Sequence, residues 1–261
     1  MNMVVKSITS KDNPVLKRIR ASIKDNSGYK SDQTIWIEGD HLCSSAIHCG
    51  IQITELLLLD TATESDLIFW SKHASQIYTL PESLFSALSQ LPSATPIVGS
   101  IVVPSAQQMN PAESIVVLDE VQDPGNAGSI LRCAAAFGFK QIVTTHGSVS
   151  LWSPKVVRSG MGAHFGLKLF ESMEISQLVQ LSLPVMLTDS HRGDFLHEMT
   201  RQRSIPDTCL WVFGHEGRGV NQKWLDSKVN VVRINQPGGQ ESLNVAAAAA
   251  ICLHAHASQK T

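Results

Sequence analysis

Three short segments of the 261-residue chain combine glycines with polar side chains in patterns that suit a ligand site. The first runs from Asp119 to Arg132, the second from Gly214 to Val220, and the third from Gly238 to Val245, directly before five alanines. Closely spaced glycines let a backbone approach a ligand, and serine or asparagine can cap a helix while presenting a polar atom outward. These segments are the candidate site.

In the first segment, a Pro-Gly turn leads into a predicted helix that begins near Asn126. At helical spacing, Asn126, Ser129 and Arg132 fall on one face. An amide, free backbone N–H groups and a guanidinium on one face form a clamp for an anion or a ribose. The alternative is that Asn126 is the helix N-cap and Arg132 an ordinary surface residue.

The second segment places Glu216 within a backbone wall made by three glycines, and His215 is expected to face solvent. The alternative interpretation of the second segment is an ordinary turn in which Glu216 is a solvated acid. In the third segment, the predicted helix Val245–His256 carries little side-chain bulk, so a neighbouring backbone or a second subunit could lie close to it. The sequence has no Walker motif, G-x-S-x-G elbow or histidine cluster, and no metal site is predicted.

The composition is that of an ordinary globular protein, with 43% hydrophobic and 17% charged residues, and the length predicts two domains. The longest apolar run, residues 245–253, is too short to span a bilayer, and the N-terminus has no apolar signal core. Five scattered cysteines without a C-x-x-C pair indicate reduced thiols. We therefore expect a cytoplasmic protein without a membrane partner.

Basic residues are concentrated near the N-terminus, although the whole chain has a net charge of −2. Residues 1–30 contain seven basic residues against two acidic ones, which is typical of a surface that meets a phosphate backbone. The candidate RNA contacts are Lys6, Lys11, Lys17, Arg18 and Arg20. A solvated helix face with Val15, Ile19 and Ile23 on its apolar side would explain the same pattern.

Two regions alternate strands with helices, separated by a polar segment bounded by prolines at residues 105–113. Residues 34–60 have the pattern of a βαβ unit within a predicted first domain, residues 1–104. The predicted second domain, residues 114–261, alternates repeatedly between strand and helix. Such alternation predicts an α/β fold with a parallel sheet and helices on both of its faces.

The three segments together closely resemble the ordered motifs of the SpoU (TrmH-type) branch of the SPOUT RNA methyltransferases. The resemblance covers residues 114–257, includes Ser153–Ala163, and extends more loosely over residues 7–103 to the family's ribosomal-protein-like RNA-binding domain. It implies S-adenosylmethionine-dependent 2′-O-methylation of ribose in structured RNA, with ribosomal RNA favoured over transfer RNA. It also implies a homodimer with a shared active site, and a deep trefoil knot formed by the second and third segments and the last helix.

The resemblance also assigns roles to individual residues. Cofactor binding falls to Gly214, Gly217, Ile234, Leu243 and Asn244. The catalytic set is Arg132, Asn126, Glu216, Ser242 and Asn244. A guanidinium stays charged in proteins, so the expected task of Arg132 is to bind a phosphate and stabilise the developing alkoxide while a phosphate oxygen or water accepts the proton.

One position departs from the family pattern, because Asn235 stands where the third motif usually has proline, which removes a rigid φ angle. Three alternatives remain open at this point. The chain could methylate transfer RNA, it could attack a base rather than a ribose, or it could be a non-catalytic RNA-binding or ribosome-assembly factor that keeps the fold.

Overall fold

The computed structural model describes residues 5–25, 28–89, 96–105, 108–238 and 242–259. The first half of the chain contains β1 (Val5–Ser7), α1 (Pro14–Lys24), α2 (Tyr29–Asp32), β2 (Thr34–Glu38), α3 (Asp40–His48), β3 (Ile53–Leu59), α4 (Glu64–Trp70), β4 (Ala74–Leu80), α5 (Glu82–Phe85) and β5 (Ile97–Val102). The second half contains β6 (Ile115–Asp119), α6 (Pro124–Ala136), β7 (Gln141–Thr145), α7 (Pro154–Gly160), β8 (Lys168–Met173), α8 (Ile175–Val179), β9 (Val185–Thr188), β10 (Asp194–Phe195), α9 (Leu196–Gln202), β11 (Leu210–Gly214), β12 (Val229–Arg233) and α10 (Val245–Ser258).

The chain divides into two compact units. One comprises Met1–Ser105 with Trp152–Phe165, and the other comprises Ala106–Leu151 with Gly166–Thr261. The boundary near residue 105 falls beside the predicted linker, of which residues 106 and 107 lie outside the described residues. The first unit also takes in the segment with α7, which the sequence prediction gave to the second domain. The predicted domain limits therefore stay a prediction.

The first unit is built on a five-stranded mixed sheet in the order β1-β4-β3-β5-β2. The predicted βαβ unit has β2 and β3 parallel to each other but not adjacent, because β5 lies between them and pairs antiparallel with both. Helix α1 starts at the Asn13 cap, whose side chain accepts from the Val15 N–H at 2.9 Å. Its apolar stripe, Leu16, Ile19 and Ile23, is buried in the core of the unit.

The second unit contains a seven-stranded sheet in the order β10-β12-β9-β11-β6-β7-β8, with every pairing parallel. This confirms the predicted α/β fold class. The central strands are fully buried, as continuous apolar runs such as Ile115–Leu118 require in a sheet covered on both faces. Within the described part of the chain, every helix is too short or too polar to span a lipid bilayer.

The last helix, α10, packs against α6 and α9. Its alanines allow this close approach, and the buried side chains are Val245, Ala249, Cys252, Leu253 and His256. The Nδ1 of His256 accepts from Trp211 Nε1 at 3.0 Å, while its Nε2 lies 3.2 Å from the Asp207 carbonyl. A neutral imidazole thus joins the end of α10 to strand β11.

The segment after β9 runs closely against strand β12. Gly193 has a φ of +98°, and a Cβ at this position would lie 2.1 Å from the carbonyl oxygen of Val231. Only glycine fits such an approach. The contact brings β10 beside β12, where the Arg233 guanidinium lies 3.8 Å from the centroid of the Phe195 ring. The predicted knot, which would involve the second and third segments and the last helix, remains a prediction.

Candidate functional site

The three candidate segments meet at the carboxyl edge of the parallel sheet. Strands β6 and β11 are neighbours whose last residues, Asp119 and Gly214, are paired in register. The first segment leaves β6 at this edge, and the second leaves β11. Strand β12, which precedes the third segment, is separated from β11 only by β9. Open α/β sheets bind ligands at this edge.

The site begins with Asn126, which joins all three segments. Its Nδ2 donates to Glu216 Oε1 at 2.8 Å, and its Oδ1 accepts from Asn244 Nδ2 at 2.9 Å. Asn244 is itself the N-cap of α10, since its Oδ1 accepts from the N–H groups of Ala246 and Ala247. Three polar side chains that the resemblance assigned to catalysis therefore form one hydrogen-bonded chain.

Helix α6 begins two residues earlier than predicted, at Pro124, and its N-cap is Asp123. The Asp123 Oδ1 accepts from the Asn126 backbone N–H at 2.7 Å. Proline at the first helical position already has the required φ and lacks only an N–H that would have no intrahelical partner. The alternative in which Asn126 caps the helix is therefore wrong, and its side chain is available to the other two segments.

A cavity of about 410 Å³ opens at this edge, within the size range of small-molecule sites. Six of the residues predicted from sequence line it, namely Gly214, Glu216, Gly217, Ile234, Ser242 and Leu243. Asn126 is joined to this lining through its hydrogen bond to Glu216, and Asn244 is joined through its own bond to Asn126. Gly239, Gln240 and Glu241 of the third segment lie outside the described residues.

A further wall of the cavity, Thr188–His191, was missed by the sequence prediction. It follows strand β9, so the rule that parallel strands share their carboxyl edge could have found it. Asp189 accepts from the backbone N–H groups of His191 and Arg192 and pairs with the Arg192 guanidinium at 3.0 Å. Burial acts to raise the pKa of this carboxyl, but these donors outweigh it and hold the pKa below its ordinary value.

His215 is half-buried and lines the cavity, and the expectation that it faces solvent stays a prediction. Its Nδ1 accepts from the N–H groups of Gly217 and Arg218, at 2.9 and 3.2 Å. Its backbone exchanges two hydrogen bonds with Gly219, each 2.9 Å long. The imidazole therefore shapes the turn that presents Glu216.

Two acidic residues at the end of β6, Asp119 and Glu120, form hydrogen bonds and an ion pair that hold the second segment and the residue after it. The buried Asp119 carboxylate accepts from the Asn221 N–H at 2.6 Å and from the Thr145 hydroxyl at 2.9 Å, while burial raises its pKa. Glu120 accepts from Asn221 Nδ2 at 2.8 Å and pairs with Arg218 at 3.1 Å. Glu120 has a φ of +59°, an uncommon conformation for a residue with a side chain.

Arg132 is exposed on α6, and among the described residues its guanidinium forms no hydrogen bond or ion pair. The structure therefore does not join Arg132 to Asn126, Glu216 and Asn244. Ser129 lies on the same side of α6 and is half-buried. The described residues contain no cluster of three or more His, Cys, Asp and Glu side chains that could hold a metal ion.

The candidate RNA contacts on the first unit include residues that form ion pairs within the protein and residues for which no ion pair is seen among the described residues. Lys17 pairs with Asp12 at 2.8 Å, and Arg18 pairs with Glu55 at 2.6 Å. Exposed ion pairs of this kind are weak, so an RNA phosphate could replace them. Lys6 and Lys11 are exposed, whereas Arg20 is half-buried.

Comparison with known proteins identifies a family that shares these sequence features. The SpoU rRNA Methylase family matches residues 113–254. The 23S rRNA (guanosine(2553)-2′-O)-methyltransferase RlmP of Bacillus subtilis is 30% identical over 225 residues, which cover 85% of this chain and 87% of that protein. An uncharacterized tRNA/rRNA methyltransferase of Synechocystis is 28% identical, over 96% of this chain and 93% of that one.

Among solved structures, an AdoMet-bound rRNA methyltransferase from Sinorhizobium meliloti superposes with a TM-score of 0.82. The match covers 97% of each chain at 24% identity, so it speaks for the fold alone. The family match spans all three segments of the site and more than half of the chain. This chain belongs to the SpoU RNA methylase family.

Proposed function

We propose that this protein transfers a methyl group from S-adenosylmethionine to a ribose 2′-hydroxyl of ribosomal RNA. The observation that carries the proposal is the hydrogen-bonded chain from Asn244 through Asn126 to Glu216, on the border of the cavity. It unites the three family motifs at one point. The 2′-O specificity of RlmP, the relative at 30% identity, supports ribose as the acceptor.

The residues of the cavity fit this methyl donor. Ile234, Leu243 and Val245 supply apolar surface for a base, while glycine backbone at 214 and 217 supplies N–H and C=O groups. Asp189 lies among the lining residues and supplies a charged group for the amino-acid end. When bound, the donor would provide a methyl group on a positively charged sulfur.

The chain's own residues then have to position a ribose and assist the loss of its proton. Asn126 and Glu216 are held by hydrogen bonds before any substrate arrives, so little reorganisation is needed. Arg132 stays charged and would bind the phosphate beside the target ribose and stabilise the developing alkoxide. The proton would pass to a phosphate oxygen or to water.

We also propose a homodimer in which α6 and α10 form the contact. Ile251 of α10 is 42% exposed, and the small side chains around it would let a second copy approach closely. Arg132 lies on the exposed side of α6, so such a contact would bring it near the partner's site. The basic residues of the first unit, with Lys6 and Lys11 foremost, would bind the RNA.

The cytoplasm is the proposed location, and the five free cysteines support a reducing compartment. The trefoil knot formed by the second and third segments and the last helix is likewise part of the proposal.

The test is to incubate purified protein with isotope-labelled S-adenosylmethionine and, separately, ribosomal and transfer RNA. Nuclease digestion and mass spectrometry then locate the label. We expect a 2′-O-methylated nucleoside from ribosomal RNA, and the same site should lose its methyl group in cells lacking the protein. A label on a base, or on transfer RNA alone, would contradict the proposal. Absence of transfer together with RNA binding would favour a non-catalytic factor.

A further inference from the structure

Residues 189–193 form a short segment that crosses strand β12, and we call this segment the strap. Thr188, at the end of β9, and Asp194, at the start of β10, are both paired with Val232. Because β12 lies between β9 and β10 in the sheet, these two pairings are on opposite edges of β12. The strap therefore has to pass across β12 to join them.

One side of the strap belongs to the cavity, since Asp189, Ser190 and His191 are among the lining residues. The strap is attached to β12 at its first residue, where the Asp189 N–H donates to the Val232 carbonyl oxygen at 3.0 Å. Residues 190–193 are exposed, so little packing holds them. A segment with few buried contacts opens easily, and the position of the strap depends on the few contacts that it makes.

Arg233, the last residue of β12, provides two of these contacts. Its Nη1 donates to the His191 carbonyl oxygen at 3.5 Å, in the middle of the strap. Its guanidinium lies 3.8 Å from the centroid of the Phe195 ring, just beyond the end of the strap. Phe195 is also the residue with which Arg233 is paired between β10 and β12. A cation over a ring face is attracted by the ring quadrupole, so Arg233 ties the strap to β12.

We infer that Arg233 is a positioning residue for methyl-donor binding, which acts by holding the strap where Thr188–His191 line the cavity. The inference rests on the proposed function, because it takes S-adenosylmethionine as the occupant of the cavity. A released strap forms the wall for only part of the time, so the apparent dissociation constant of the donor rises by the inverse of that fraction. Saturating donor restores the wall, and the saturated rate of methyl transfer then changes little.

The experiment is a double-variant cycle in which calorimetry measures the affinity of the whole protein for S-adenosylmethionine. Arg233→Met and Phe195→Leu should each weaken binding by about fivefold. The double variant should bind no more than about twofold more weakly than Arg233→Met, because both changes remove the same contact. Phe195→Trp keeps a ring face beneath the guanidinium and should bind like the native protein. Arg201→Met, which removes an exposed arginine from α9, is the control.

Two further measurements separate positioning from a general effect on stability. In the unliganded protein, Arg233→Met should speed hydrogen exchange at the hydrogen-bonded amides of Asp189, His191 and Arg192 and leave exchange in the core strand residues 115–118 unaltered. Its rate of methyl transfer at saturating donor and RNA should stay within about twofold of the native rate.

Separate outcomes would overturn the inference and the proposed function. Losses from Arg233→Met and Phe195→Leu that multiply in the double variant would show that the two residues act independently, and would overturn the inference alone. Unaltered exchange in the strap, or a lower saturated rate with native donor affinity, would do the same. Failure of the native protein to bind S-adenosylmethionine would overturn the proposed function and, with it, the inference.

Discussion

The Asn126 amide lies 2.8 Å from Glu216, a residue 90 positions later, and this bond connects the first family motif to the second. Each partner is at the start of a loop or helix that leaves a different strand of one sheet edge. The bond can therefore form only when the first two motifs are in place beside each other.

We predict that Asn126→Ala lowers the rate of methyl transfer by about a hundredfold, because it removes the group that orients Glu216 and Asn244. The free energy of unfolding should fall by no more than about 1–2 kcal/mol, since the helix keeps its Asp123 cap. Single-turnover kinetics and urea denaturation measure the two effects. Gln122→Ala removes an exposed amide from the same loop and should change neither quantity.

Arg132 offers a test of charge against geometry. Arg132→Ala should reduce methyl transfer to less than about one hundredth, whereas Arg132→Lys should retain about one tenth, because the lysine keeps a positive charge without the guanidinium fork. Rates at saturating methyl donor and RNA check this. Arg201→Ala, which removes an exposed arginine from α9, is the control. Equal activities of the lysine and alanine variants would contradict a charge role.

Glu120 combines an uncommon backbone conformation with side-chain contacts to the second segment. Glu120→Gly relieves the backbone strain and removes the contacts, and the two effects are read out by different measurements. Glycine should recover about 1 kcal/mol of left-handed strain, which offsets the lost contacts in global stability. Losing the bonds to Asn221 and Arg218 should speed hydrogen exchange at residues 215–219 and weaken methyl-donor binding severalfold.

The control for Glu120→Gly is Ser182→Gly. Ser182 has a φ of +57° and is exposed in the turn after α8. This change should recover about 1 kcal/mol of left-handed strain without an offsetting loss of contacts, and it should leave exchange at residues 215–219 unaltered. If Glu120→Gly also left that exchange unaltered, the contacts of Glu120 would have no role in holding the segment.

Position 193, where the backbone lies against β12, should not tolerate any residue other than glycine. Gly193→Ala would bring a Cβ within 2.1 Å of the Val231 carbonyl oxygen and impose a φ of +98°. We expect a loss of about 3 kcal/mol or more. Gly138→Ala is the matched control, because Gly138 has a φ of +85° with no atom within 4 Å of the added Cβ. It should cost about 1–2 kcal/mol, as thermal or urea unfolding would measure.

Much of the fold follows from local sequence signals. Continuous apolar runs such as Leu210–Phe213, separated by helical patterns, predict buried parallel strands, and the sheet of the second unit confirms this. The helices α4 and α9 are absent from the prediction. Both are seven residues long, too short to show a clear helical periodicity. The insertion of β5 between β2 and β3 depends on pairing between distant residues, which no local pattern encodes.

Sequence patterns alone predict the family, the fold class and the three segments, because glycine spacing and capping residues act through local backbone preferences. Which side chains meet depends on the tertiary structure. It joined Asn126 to Glu216 and Asn244, placed the His215 ring against the N–H group of Gly217, and added Thr188–His191 as a wall of the cavity. These relationships link residues far apart in the chain, and strand order and register fix them.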